Sequence, residues 1–263
     1  MDAALAAEAQ RRVNNLCLAY GERRPKLSAY LESGKRDQAY ARMLDIFRSE
    51  IVDLLVIGQA RLVLDGDAAL ARKTFQEAAD WLPLFEEVRQ AAAGTELRLS
   101  LNLMVEPIVC LLLANDWKSI ALVASVDEKR AFLDPEKEPK AGRAWAQFMH
   151  ELLLALRPGA AAGRQAPELE PADTFAGYER LLNGILANDQ PAFDAARAAA
   201  EAAFPARKKK RDPGMNWFGY GKLAQIATID ALGTALSALA VHRGMKVEVD
   251  TALYPRAFVH GAA

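Results

Sequence analysis

From Leu223 to Val241 the chain carries only one charge, Asp230, and the run closes on His242-Arg243-Gly244. This spacing predicts a helix over 223–241 that is apolar on every side. Such a helix has no face suited to water, so other helices must surround it. The feature points to an α-helical domain with this helix at its centre. The only alternating β-branched run is Val247-Glu248-Val249, too short to found a sheet. Alanine is dense at 3–9, 91–93 and 195–203 and, with Leu, Glu and Arg, favours helix. The fold class is therefore all-α. Gln225, Thr228, Asp230, Thr234 and Ser237 are spread through the apolar run, and an aspartate in mid-span is costly in lipid. The N-terminal residues lack the basic region and apolar run of a signal peptide. The expectation is a cytoplasmic protein with no membrane partner.

Other helices follow from periodicity. One runs from Ala3 to about Tyr20, stopped by Gly21 and Pro25. A second runs from Lys35 to Leu64, with Met43, Leu44, Phe47, Ile51, Leu54, Leu55 and Gly58 on one face. A third, from Ala68 to about Val88, contains Pro83, where it kinks or breaks. The turn Leu64-Asp65-Gly66-Asp67 is echoed by Leu113-Ala114-Asn115-Asp116 and Leu186-Ala187-Asn188-Asp189. Gly and Asn suit the left-handed end of one helix, and Asp suits the N-cap of the next. All three read as joints of αα-hairpins, and the unequal spacing excludes a regular solenoid. The predicted architecture is an irregular array of antiparallel αα-hairpins packed around the buried C-terminal helix.

The segment 157–173 contains Pro158, Pro167, Pro171, Gly159 and Gly163, the composition of an exposed loop or linker. Residues 1–263 then form one helical domain with a long loop at 157–173, or two helical subdomains at 1–156 and 174–263. A further irregular stretch, 204–221, joins the basic run Arg207-Lys208-Lys209-Lys210-Arg211 to the aromatic run Trp217-Phe218-Gly219-Tyr220-Gly221.

Charge and motifs exclude several functions. The net charge is −1, so no global field draws the protein onto nucleic acid. Residues 61–204 hold 22 acidic and 15 basic side chains, net −7, whereas 205–263 hold 4 and 9, net +5. An acidic middle suits a basic partner, although solvated helix faces give the same count. The five-residue basic run reads as a solvated loop. Cys17 and Cys110 sit in apolar helical contexts outside any CxxC pair, as buried free thiols. His150, His242 and His260 lie far apart without metal-binding spacing, which leaves no metal site. Gly219-Tyr220-Gly221-Lys222 imitates a phosphate loop, but Asn216 stands where the first Gly belongs and Leu223 where Ser or Thr would bind magnesium. No cofactor is expected. Asp230 is either a buried general base or, the reading favoured here, a structural carboxylate bonded to an Arg, a Tyr or backbone of a neighbouring element. Trp217, Phe218 and Tyr220 serve either as a core lid or as an exposed anchor for a partner.

The C-terminal segment resembles the end of bacterial immunity proteins from polymorphic-toxin and contact-dependent killing systems, nearest to the all-helical immunity protein 49 family. The resembling residues are Ile229-Asp230-Ala231-Leu232, Ala235 to Ala240, His242 to Val247, and Tyr254-Pro255. About forty residues carry the resemblance. It implies a non-enzymatic cytoplasmic protein that binds a cognate toxin and neutralises it. The acidic middle, with Glu86, Glu87 and Asp116 as candidate contacts beside Trp217, Phe218 and Tyr220, would suit a cationic toxin such as a nuclease. Two other readings stand beside it: a tetratricopeptide-like αα-hairpin adaptor, and a helical enzyme of unknown reaction built around Asp230.

Overall fold

The computed structural model describes residues 51–83 apart from 52 and 63, together with 101–125, 134–137, 140–157, 159, 164–169, 176–210, 229–249 and 251–261, and a few positions before residue 34. The described residues are helical, and no strand occurs among them. None of the described helices is long and apolar enough to cross a membrane. The helices are α1 (53–62), α2 (Ala68–Gln76), α3 (Val105–Ala114), α4 (Trp117–Ala124), α5 (Lys140–Ala155), α6 (Tyr178–Ala187), α7 (Gln190–Lys210), α8 (Ala231–His242) and α9 (Arg256–Val259).

The three recurring turns have the local geometry that their residue types dictate. Asn115 and Asn188 adopt left-handed backbone, with φ of 56° and 52°. At the first, Asn115 N–H bonds Leu112 O and Asp116 N–H bonds Leu111 O; at the second, Asn188 pairs with Ile185 and Asp189 with Gly184. This nested pair of bonds satisfies carbonyls that the end of a helix leaves open. The following Asp then caps the next helix. Asp67, Asp116 and Asp189 accept from the N–H of Leu70, Ser119 and Ala192 respectively. A side chain three residues back thus replaces the missing intrahelical acceptor. Gly66 ends α1 more simply, through one bond to Leu62 O, at φ 65°.

Two helices are buried along nearly their whole length. Every residue of α3 is buried, including Glu106, and so is α8 from Ala231 to Ala240. They pack on each other, and α2 also packs against α3. Among the described helices, α3 is as fully buried as α8. The sequence Val-Glu-Pro-Ile-Val-Cys-Leu-Leu-Leu-Ala of α3 carries the same signal in a shorter form. Helices α6 and α7 meet closely because residue 184 is Gly. A Cβ there would stand 2.9 Å from the backbone N and Cα of Phe193, whose ring is buried.

Several boundaries differ from the sequence expectation. The helix from Ala68 is not uniformly α-helical up to Pro83, and residues 84–88 lie outside the described residues. It ends as α-helix at Gln76 and tightens into a 3-10 turn, Glu77–Trp81, ahead of Pro83, with Trp81 buried. Helix α7 continues through Pro205 to Lys210, so residues 207–210 of the basic run are helical rather than part of a loop. The apolar helix begins at Ala231, not at Leu223. Ile229 and Asp230 are non-helical, and residues 223–228 lie outside the described residues. The loop at 157–173 is partly tied down. Ala166 and Leu169 are buried, Asn183 exchanges two hydrogen bonds with the Ala166 backbone, and Arg164 grips Glu151 with two bonds of 2.8 Å. The expected helix over 3–20 and the first half of that over 35–64 fall largely outside the described residues.

Candidate functional site

Asp230 is the centre of the most elaborate polar cluster in the described core. Its backbone is extended (φ −79°, ψ 91°), its side chain caps α8, and the residue is 1% exposed. Three donors among the described residues converge on the carboxylate. Gly233 N–H and the Tyr178 hydroxyl reach Oδ1 at 3.0 and 2.8 Å, and the Tyr254 hydroxyl reaches Oδ2 at 2.8 Å. The start of a helix also favours a negative charge at this position. The cluster therefore joins the start of α6, the start of α8 and the segment before α9.

The backbone strengthens the same junction. Asp230 N–H bonds Leu253 O, and Thr234 Oγ1 donates to that same carbonyl at 3.1 Å. Residue 233 has to be Gly here, since a Cβ would lie 2.5 Å from both Asp230 Oδ2 and the Tyr254 hydroxyl. Arg197 of α7 stands 5.9 Å over the Tyr254 ring and pairs with Glu201 at 3.4 Å. Burial, followed by the charge and hydrogen bond of Asp230, raises the pKa of the Tyr254 hydroxyl. Tyr254 is thus locked as a donor. Both oxygens of this buried carboxylate are engaged. Its geometry is that of a clasp.

The rest of the C-terminal segment works as a strap. Phe258 meets Phe75 of α2 edge-on at 5.6 Å, and Asn115 Nδ2 donates to Phe258 O at 2.7 Å. Arg72 donates to Ala257 O, and His260 Nε2 lies 2.8 Å from Val247 O. At the far end of α8, Gly244 (φ 87°) and Met245 close the helix with bonds to Val241 O and Ala240 O. The extended run after it is held by Gln190 of α7, whose amide bonds both the N–H and the C=O of Lys246. Strap and clasp together tie α2, α3, α6, α7 and α8 into one framework.

The structure treats the predicted site residues unequally. Asp116 is engaged in capping α4, accepting from the N–H and the hydroxyl of Ser119. Glu86, Glu87, Trp217, Phe218 and Tyr220 lie outside the described residues. Asp230 uses two of the partner types open to it, Tyr and backbone. Its position is the correction: it precedes the helix rather than sitting in mid-span, which is how an acidic residue can enter an otherwise apolar run. Cys110 is buried and free, and burial, then the neighbouring Glu106, raise its pKa well above the usual range. Among the described residues no group of His, Cys, Asp or Glu has the make-up of a metal site.

Two features are absent from the sequence expectation. Glu106, one turn before Cys110, is 4% exposed, and burial pushes its carboxyl up to about 8. Its signal was present, since an acid inside Val105 to Ala114 breaks an apolar run in the way Asp230 does. The second is a stack between Trp117, the first residue of α4, and His242, the last of α8. The rings are 3.7 Å apart and 10° from parallel. No sequence spacing announces a contact between residues so far apart.

No family model, curated protein or solved structure matches the chain.

Proposed function

We propose that this chain is a helical binding protein that neutralises a cognate antibacterial toxin by direct contact, as its resemblance to immunity proteins implies. The observation that carries the reading is the Asp230 clasp. The residue most open to an enzymatic interpretation is enclosed by Gly233, Tyr178 and Tyr254 and serves to fix the framework. The resembling residues, from Ile229 through Tyr254-Pro255, are in this reading the scaffold, and the partner meets a surface elsewhere. A scaffold of this kind is pre-organised, which spares a complex the cost of ordering loops on binding. Asp65, Asp80, Glu136, Glu168 and Asp194 are exposed, in keeping with a cationic partner such as a nuclease. A specific interface needs roughly 800 Å² from each side. In the same reading α3–α4 and α6–α7 are antiparallel αα-hairpins arrayed around α8, and the protein acts in the cytoplasm without a nucleic-acid or membrane partner.

The test is growth rescue. The toxin-like product of the adjacent gene is expressed with and without this chain. Relief of growth inhibition, with a one-to-one complex recovered from the same cells, supports the reading; continued inhibition with no complex overturns it. The repeated Asn-Asp joints favour a second reading, a tetratricopeptide-like adaptor. In that case short peptides would bind weakly and the growth assay would show no protection.

A further inference from the structure

No further inference is drawn: the strongest candidate, the exposed alanine face of helix α7 along Ala195, Ala198, Ala199 and Ala202, is a stripe of small residues and nothing in the structure shows what covers it.

Discussion

Glu106 makes the stability of this protein depend on pH in a direction opposite to that of most carboxylates. In the folded chain burial raises its pKa from 4.5 to about 8. Folding therefore keeps a proton that the unfolded chain releases as soon as pH exceeds the ordinary carboxyl range. By linkage, stability falls as pH rises from about 4.5 to about 8 and levels off above that. A tenfold change in a proton's binding equilibrium is worth ~1.4 kcal/mol, so the penalty from Glu106 grows by on the order of 3–4 kcal/mol between pH 5 and pH 8. Glu106→Gln removes the titration and keeps the shape. Its amide adds a second buried N–H donor, which costs ~1–3 kcal/mol at any pH. The assay is urea unfolding of parent and variant at both pH values. The variant should gain on the parent by roughly 3 kcal/mol across that interval, whatever its offset. A gap that does not change with pH would refute the reasoning, since Glu106 would then be ionised in the folded core.

Three further outcomes follow from particular contacts. Tyr254→Phe deletes the donor to Asp230 Oδ2 while keeping the buried ring, and should cost about 2 kcal/mol, or roughly 4–8 °C in Tm by calorimetry; an unchanged Tm would mean that this bond contributes nothing. Asn188→Gly should leave stability nearly unchanged, whereas Asn188→Ala should cost about 1 kcal/mol, because φ is positive there; equal stabilities in chemical denaturation would contradict that expectation. His242 should titrate below its ordinary 6.5, because burial and then Arg243 oppose its charge. Stability should then fall as pH drops from about 6.5 towards the folded value and stay level below it. An NMR midpoint above 6.5 would show that the helix C-terminus and the Trp117 ring outweigh those effects.

The local chemistry of the chain was more legible than its contacts. Gly66, Asn115 and Asn188 marked helix ends, and Asp67, Asp116 and Asp189 marked the next starts, because left-handed backbone and N-caps each select a few residue types. Asp230 is legible as a buried carboxylate with structural partners, but its place at the helix start is not. An apolar window of nineteen residues does not reveal where a helix begins, whereas a side chain accepting from the N–H three residues ahead does. Asp230 caps its helix in the same way as Asp116 and Asp189, but without the Asn that announces those two joints. Glu106 breaks an apolar run as Asp230 does, but the signal is weaker, because Glu is a good helix former and disturbs the pattern of α3 less than Asp disturbs that of α8. Tyr178, Tyr254 and the Trp117–His242 stack depend on which helices meet, and that is set by packing rather than by local sequence.

If Asp230 serves the framework rather than a reaction, its replacement should weaken the fold and spare the binding surface. Asp230→Ala leaves two tyrosine hydroxyls and one helix N–H without their acceptor, and should cost on the order of 3–5 kcal/mol. The measurement is the variant's Tm together with its affinity for the toxin partner, taken at a temperature where the variant is still folded. A Tm lower by roughly 10 °C with affinity unchanged is the expected result. Full stability combined with lost activity would contradict it and return Asp230 to a chemical role.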